Sequence, residues 1–176
     1  ITQIRENKLH NQPNSIPELP DTSVRDQVVI ITGAGQGIGR YYAHCFAQAG
    51  AIPVIAELLP ERGQAVADEI NGGGGQALAV VTDVADGKQA QQLVSQTLSE
   101  FGRIDVLINN AAIHTVLKRR PFYEIPDDEW SKVMNINIGG YFHCAKAVVP
   151  AMKEAGFGRI INISSSAIWM GLTNYM

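Results

Sequence analysis

Short apolar runs alternate with amphipathic stretches along the chain from Gln27 onward. The runs are rich in β-branched residues, as expected of strands that are buried on both faces of a sheet. The order predicts repeated strand–helix units, and therefore an α/β fold with a doubly wound, mostly parallel sheet. The predicted strands are Val28–Thr32, Ile52–Ala56, Gln76–Val81, Ile104–Ile108 and Arg159–Ser164, and the predicted helices are Ile38–Ala49, Pro60–Ile70, Asp86–Phe101 and Pro126–Ala155.

Prolines and acidic residues set several of these boundaries. Pro53 should occupy the first position of its strand, because proline has no N–H to give to a sheet. Asp86 can cap the helix that follows it. Pro126 and the three acids after it indicate a helix start, and Pro150 should bend that helix. Residues 1–26 contain Pro13, Pro17 and Pro20 among polar residues, which predicts an extended arm ahead of one domain over residues 27–176.

Composition narrows the class of protein. The 176 residues are 45% hydrophobic and 18% charged, as in an ordinary globular domain. The formal net charge of -3 argues against a nucleic-acid partner, and no apolar run approaches the roughly 20 residues that span a bilayer. The arm lacks the pattern of a secretory signal. Cys45 and Cys144 are expected to be buried free thiols and not a disulfide or a metal site. Free thiols favour a reducing, cytoplasmic setting.

A glycine-rich turn joins the first predicted strand to the first predicted helix. Such a turn presents backbone N–H groups and the positive end of a helix dipole to an anion, and side chains on the glycines would block a pyrophosphate. The spacing departs from Gly-x-Gly-x-x-Gly, because its sixth position is Ile38. The pattern is instead Thr-Gly-x-x-x-Gly-x-Gly, formed by Thr32, Gly33, Gly37 and Gly39.

That variant, with four later motifs in the same order, resembles the short-chain dehydrogenase/reductase family from Gln27 to about Tyr175. Asp83-Val84 is similar to the family's adenine-side pair, and residues 109–112 are similar to its Asn-Asn-Ala-Gly, with Ala112 in place of glycine. The resemblance implies a Rossmann-type domain, incomplete at its carboxyl end, that binds a nicotinamide dinucleotide. The cofactor-binding residues that it implies are Gly33, Gln36, Gly37, Ile38, Gly39, Glu57, Asp83, Val84, Asn110 and Ala111.

Glu57 bears on the choice between NAD and NADP. It follows the second predicted strand, where a carboxylate can accept hydrogen bonds from the adenosine ribose and repel a 2′-phosphate. The glycine turn carries neutral Gln36, where a relative that binds the phosphate would be expected to have a basic residue. Arg40 should lie on the first helix, and Arg62 is interpreted as an exposed helical charge. We therefore expect NAD, while a solvated loop acid is the simpler alternative for Glu57.

The remaining motifs resemble the family's catalytic residues. Asn137 lies on the helix that in the family carries an active-site asparagine, and Ser165 matches the catalytic serine after the last predicted strand. The resemblance implies that the serine donates to the substrate oxygen and that the asparagine helps to hold a proton-relay water. Alternatively, Ser165 is a strand-end hydroxyl bonded to the backbone, and Asn137 satisfies a helix kink.

A catalytic tyrosine and a lysine four residues after it are also implied. Tyr175 lies ten positions after Ser165, whereas the family spacing is about thirteen, just beyond Met176. We therefore expect that the sequence is truncated and that the intact protein is an NAD-dependent oxidoreductase acting on a small alcohol or ketone. A non-catalytic dinucleotide-binding or regulatory protein is the alternative. The family also implies a homodimer or homotetramer that forms through the long helix.

Other reactive or apolar side chains have ordinary interpretations as well. His114 is either a solvated loop residue or a substrate contact. His143 and Cys144 are adjacent on a helix and point about 100° apart, so they cannot bind one metal ion. The basic run at residues 118–120 is best explained as a solvated loop. Trp169, Met170 and Leu172 either line a substrate pocket or pack internally.

Overall fold

The computed structural model describes residues 23–113 and 120–165. Within these ranges the chain forms one five-stranded sheet in the order β3-β2-β1-β4-β5, and every strand pair is parallel. The strands are β1 (Val28–Thr32), β2 (Ile52–Glu57), β3 (Leu78–Val81), β4 (Val106–Asn109) and β5 (Arg159–Asn162). The helices are α1 (Gly37–Gln48), α2 (Pro60–Gly72), α3 (Gly87–Phe101), α4 (Asp127–Met134) and α5 (Gly140–Glu154).

The predicted parallel α/β architecture is confirmed, and its strand order creates a crevice. The chain moves outward from β1 to β2 and β3, and then crosses back so that β4 lies on the other side of β1. In an open sheet of this kind, ligands bind outside the carboxyl ends of the strands where the order reverses. The reversal between β1 and β4 therefore marks where a site is expected.

Alternate residues of the strands supply two separate cores. Val28 and Ile30 face the layer formed by α3 and α5, whereas Val29 and Ile31 face the layer formed by α1 and α2. All four side chains are at most 1% exposed. The buried β-branched run of β1 is thus explained by helices that cover both faces of the sheet. These two apolar layers fix the carboxyl ends of β1 and β4, where the site lies.

Pro53 is the second residue of β2 and not the first, which corrects the expected boundary. The N–H of Ile52 donates to Gln27 O beside β1, at 2.8 Å. Because successive N–H groups of a strand alternate between its two neighbours, the position of Pro53 would direct its missing donor toward β3. The pairing of β3 begins one residue later, at Val54, so the proline removes no hydrogen bond from the sheet.

Some predicted boundaries were wrong by one or two residues, and one predicted helix is divided. β3 starts at Leu78, β4 runs over Val106–Asn109, and β5 ends at Asn162. Asn109 pairs in register with Asn162, which extends β4 into the predicted loop. The helix predicted over Pro126–Ala155 is α4 and α5 joined by a π-helical segment at Asn135–Gly139. That segment inserts extra residues into the turn that carries Asn137.

Cys45 is exposed, which corrects the expectation of two buried thiols, while Cys144 is buried. Cys45 lies on the outer side of α1, whereas Cys144 belongs to the core beneath α5. The described end of the predicted arm, residues 23–26, packs on the domain through Val24. In the described ranges, no helix has the length and apolarity needed to cross a membrane, and no group of metal-binding side chains occurs.

Candidate dinucleotide site

The glycine turn after β1 lies at the strand-order reversal. Gly33 has φ +65°, and a Cβ there would lie 2.9 Å from the Cα of Ala111, which follows β4. Gly39 is buried in α1, and its Cα faces the carbonyl of Gly33 and the side-chain amide of Asn110. Both positions therefore need glycine because the backbone segments approach closely, and Gly33 also needs it for its left-handed backbone.

The N-terminus of α1 is open toward the same crevice. Gly37 has φ +55°, with nothing within 4 Å of the position that its Cβ would occupy. Gln36 precedes the helix and makes no side-chain cap, whereas Asp86 caps α3 by accepting from the N–H of Lys88 at 2.8 Å. Ile38 is 63% exposed beside the turn. Since helix N-termini attract anions, the uncapped start of α1 suits a phosphate group.

Asn110 binds the turn itself. Its Nδ2 donates to the carbonyl of Thr32 at 2.9 Å and to that of Gly33 at 3.4 Å. The hydroxyl of Thr32 accepts from the N–H groups of Asn110 and Ala111, both at 3.0 Å. The side chain of Asn110 thus holds the shape of the turn, a role that the sequence pattern did not reveal. The described contacts place Ala111 against Gly33.

Glu57 ends β2 and is 9% exposed. One carboxylate oxygen accepts from the N–H of Gly35 at 2.9 Å, and the other accepts from the N–H of Leu59 at 3.3 Å. These bonds direct the acid toward the glycine turn, so it is not a solvated loop acid. An ionised carboxylate has about four acceptor positions, so roughly two remain for a ligand hydroxyl.

Gly35 is the residue of the turn that sequence analysis missed. A Cβ on Gly35 would lie 2.7 Å from Cγ of Glu57 and 2.8 Å from Cβ of Arg62. The Thr-Gly-x-x-x-Gly-x-Gly pattern treats this position as variable, yet it is packed between two side chains. The signal that could have revealed it is a further glycine inside a turn that already contains three.

Arg62 is not simply an exposed helical charge. Its Nη1 donates to Oε1 of Gln36 at 2.6 Å, which places a guanidinium beside the glycine turn. Arg40, in contrast, lies on α1 and pairs with Glu69 of α2 at 2.8 Å. The described part of the site therefore combines a mostly buried carboxylate, Glu57, with a neighbouring cation, Arg62.

The loop after β3 carries the predicted adenine-side pair. Oδ1 of Asp83 accepts from the N–H of Ala85 at 2.9 Å, and the N–H of Asp83 donates to Oε1 of Gln89 at 2.8 Å. Val84 is buried, and its carbonyl is 3.1 Å from Nδ1 of His143 on α5. The loop is thus tied to the helices on both sides of it.

Asn137 lies in the π segment and faces the loop after β4. Its Oδ1 accepts from the N–H of Ile113 at 2.9 Å, and its Nδ2 donates to the carbonyl of Ile113 at 3.1 Å. Both ends of the amide therefore bind one backbone residue. π-Helical insertions are frequent at functional sites, and here the insertion presents Asn137 to the same edge of the sheet as the glycine turn.

Ser165 follows β5 by three residues and is exposed. The strand end before it is held from two directions. The N–H of Ile163 donates to the carbonyl of Asn109 at 3.0 Å, and the hydroxyl of Tyr141 on α5 donates to the carbonyl of Ile163 at 2.8 Å. The carbonyl can only accept, so the phenol is the donor, and burial raises the pKa of Tyr141 above its ordinary value.

Several predictions fall on residues that the structure does not describe. They concern His114, Lys118, Arg119, Trp169, Met170, Leu172 and Tyr175. Arg120 is described, and it pairs with Glu129 of α4 at 3.0 Å instead of being a solvated charge. The side chains of His143 and Cys144 have different partners, because the histidine binds a backbone carbonyl and the cysteine enters the core.

This sheet, with a glycine turn at its reversal and an acid after the second strand, defines a Rossmann-type α/β protein. Comparison with known sequences then gives the family. Residues 27–176 match the sequence model of the short chain dehydrogenases, and the chain belongs to that family of oxidoreductases.

Individual relatives agree with this assignment. The chain is 39% identical over 148 residues to a short chain dehydrogenase/reductase, AstE, of Aspergillus oryzae, with 83% of this chain and 56% of the relative covered. It is 41% identical over 157 residues to trans-4-hydroxycyclohexanecarboxylate dehydrogenase of Sinomonas cyclohexanicum, covering 86% and 59%. Thus it spans less than three fifths of the length of either relative.

A solved structure has the same fold. It is a 7α-hydroxysteroid dehydrogenase in complex with NADH and 7-oxo glycochenodeoxycholic acid. The TM-score is 0.79 at 33% sequence identity, and the alignment covers 86% of this chain and 58% of that one.

Proposed function

We propose that the protein is an oxidoreductase that binds NAD at the glycine turn and acts on a small alcohol or carbonyl compound. The observation that carries the proposal is the uncapped start of α1 beside a turn whose acid, Glu57, is oriented by the N–H of Gly35. Family membership supports it, as does the NADH in the related hydroxysteroid dehydrogenase.

The residues present fit a dinucleotide. Nothing lies within 4 Å of the position that a Cβ on Gly37 would occupy, so the turn leaves its backbone bare where a diphosphate would approach. At Gly33, Gly35 and Gly39 a Cβ would instead meet other atoms of the protein, so these glycines let the turn pack closely. We propose that the N–H groups of residues 36–39 hold the diphosphate, that Glu57 receives the ribose, and that Asp83 and Val84 border the adenine. Asn110 and Ala111 would lie behind the turn.

The bound nicotinamide would supply hydride transfer, which leaves the protein to orient the substrate and to move a proton. We propose that the Ser165 hydroxyl donates to the substrate oxygen. Asn137 would position the proton path, since its amide already fixes the backbone of Ile113 at the same edge of the sheet. The substrate class is proposed from the alcohol and ketone chemistry of the relatives.

Two neighbouring groups bear on the choice of cofactor. The carboxylate of Glu57 opposes a 2′-phosphate and favours NAD. Arg62, held at the turn by Gln36, is the observation that favours NADP as a second candidate. The effects of the two side chains on cofactor choice can be separated by substitution. Glu57→Gln removes the negative charge and Arg62→Gln removes the positive charge, while each variant keeps a polar side chain of similar length.

Calorimetry with ADP-ribose and 2′-phospho-ADP-ribose tests the cofactor. We expect the wild type to prefer ADP-ribose at least tenfold, and Glu57→Gln to reduce that preference. Arg62→Gln should change the preference by less than threefold. Equal affinity in the wild type, or a preference for the phosphorylated ligand that Arg62→Gln abolishes, contradicts the proposal of NAD and supports NADP. If the wild type binds neither ligand, the proposal of a dinucleotide site is contradicted.

An apolar stripe supports the expected homo-oligomer. Trp130, Met134, Ile138 and Phe142 recur every four residues along α4, the π segment and α5, and are between 38% and 61% exposed. We propose that two copies of the protein pair through this stripe. Light scattering after size-exclusion chromatography should give a dimer or tetramer that Phe142→Glu dissociates, whereas Phe122→Glu, at an exposed aromatic outside the stripe, should not dissociate it. A monomeric wild type refutes the pairing.

We also propose the reducing, cytoplasmic setting that the cysteines favour. Cys45 is exposed on α1, and Cys144 is buried beneath α5 on the other face of the sheet. The two thiols therefore cannot join in a disulfide without unfolding. Cell fractionation of the tagged protein tests the compartment, and recovery in an oxidising compartment contradicts it.

A further inference from the structure

The first turn of α5 contacts Val84 in the loop after β3. A Cβ on Gly140 would lie 2.7 Å from Cγ2 and 3.0 Å from Cβ of Val84, so the missing side chain of the glycine makes a notch that receives the valine. Three residues further along, Nδ1 of His143 lies 3.1 Å from the carbonyl oxygen of Val84. The side chain and the carbonyl of one loop residue are therefore both held by α5.

The direction of the hydrogen bond follows from its partner. A carbonyl oxygen can only accept, so Nδ1 of His143 must carry the proton. The ring also packs over the start of α3, where a Cβ on Gly87 would lie 3.6 Å from its Cδ2. His143 thus fills the space between α3 and α5 and aims one N–H at the loop.

The same stretch of chain holds the loop after β4. Asn137 lies one turn before Gly140 and binds the backbone of Ile113 through both ends of its amide. Residues 137–143 therefore contact both loops that border the crevice, one beside the proposed adenine site and the other beside the proposed catalytic asparagine. This arrangement indicates a structural role for His143 that the sequence pattern did not predict and that the proposed function does not include.

We propose that His143 is a positioning residue that holds the Asp83–Val84 loop in the conformation that receives the adenosine half of the cofactor. The proposal rests on the proposed function. It makes no use of the charge of the ring, since Nδ1–H donates in both the neutral and the protonated form. The proposed role requires only a hydrogen-bond donor facing the carbonyl of Val84, while the notch at Gly140 holds the side chain of the same valine.

Three variants of the full chain test the proposal. His143→Leu keeps an apolar side chain and removes the donor, and His143→Asn keeps an N–H near the position of Nδ1. Lys146→Gln is the matched control, because it lies one turn further along α5 in the same cleft. The readouts are calorimetric affinity for ADP-ribose and for nicotinamide mononucleotide, and hydrogen exchange of peptides that cover residues 82–90 and 110–113.

We expect His143→Leu to weaken ADP-ribose binding roughly fivefold, the effect of losing one neutral hydrogen bond. It should speed exchange over residues 82–90 and leave nicotinamide mononucleotide binding and residues 110–113 within twofold of wild type. His143→Asn should restore most of the affinity, and Lys146→Gln should match the wild type. Weaker binding of both nucleotides together with faster exchange in both peptides overturns the proposal, because it indicates a general loss of stability.

Equal binding by the wild type and His143→Leu overturns this proposal while leaving the proposed function intact. Equal weakening by His143→Leu and His143→Asn also overturns it, since ring packing and not the donor would then matter. A wild type that binds no ADP-ribose overturns the proposed function and, with it, the role of the loop in adenosine binding.

Discussion

Replacing Asn110 tests whether the shape of the glycine turn depends on a side chain outside it. Its Nδ2 makes one good hydrogen bond, to Thr32 O at 2.9 Å, and one weak bond, to Gly33 O at 3.4 Å. Asn110→Leu removes both donors, which should cost about 1–2 kcal/mol of unfolding free energy. Asn110→Asp also turns a carboxylate toward two carbonyl oxygens, so its cost should rise to about 2–4 kcal/mol.

Thermal unfolding and ligand affinity measure the effect separately. For a domain of this size, each kcal/mol lowers Tm by roughly 2–4 °C, so Asn110→Asp should lose roughly 5–15 °C. ADP-ribose affinity should fall more than tenfold in both variants, because the carbonyls of the turn are no longer held. The penalty of the aspartate variant should shrink toward pH 4, where a protonated carboxyl regains one donor.

Asn71→Asp is the matched control. Nδ2 of Asn71 donates to the carbonyl of Ala77 at 3.2 Å in a turn remote from the crevice. Its replacement should lower Tm modestly and leave ADP-ribose affinity unchanged. Asn110 does not hold the turn if Asn110→Asp is no less stable than Asn110→Leu, or if both variants bind ADP-ribose as the wild type does.

Three further predictions concern other contacts. Gly35→Ala should weaken ADP-ribose binding at least tenfold, whereas Gly72→Ala, with open space at its Cβ position, should not; equal affinities contradict the packing argument. The carboxylate of Asp105 accepts a hydrogen bond from the buried N–H of Val28 at 2.8 Å. Asp105→Ala removes that acceptor, so urea unfolding should show a free energy of unfolding that is lower by about 1–3 kcal/mol. An unchanged free energy of unfolding would show that the acceptor is not needed. Burial raises the pKa of Cys144 to about 11, so this thiol should not react with iodoacetamide at pH 8 in the folded protein. Mass spectrometry should find the label only on the exposed Cys45 until the protein is unfolded. Rapid labelling of both thiols in the folded protein would contradict the burial of Cys144.

Hydrophobic patterning predicted the five strands and their parallel direction, because strands covered on both faces need unbroken apolar runs; their order in the sheet came only from the structure. The pattern did not predict the ends of strands and helices where hydrogen bonds to distant residues set them. The pairing of Asn109 with Asn162 extended β4, and the π segment divided one continuous amphipathic pattern into α4 and α5. Both depend on partners that are distant in sequence, which local periodicity does not contain.

The sequence by itself determined the α/β fold, the glycine turn and the family, since each rests on residue types at short, fixed spacing. Only the tertiary structure decided what those residues touch. It turned Glu57 toward Gly35, placed Arg62 on Gln36, used the side chain of Asn110 to hold the turn, and joined His143 to Val84. The physical reason is that hydrogen bonds depend on distance and direction between atoms, and packing two helical layers onto one sheet sets both.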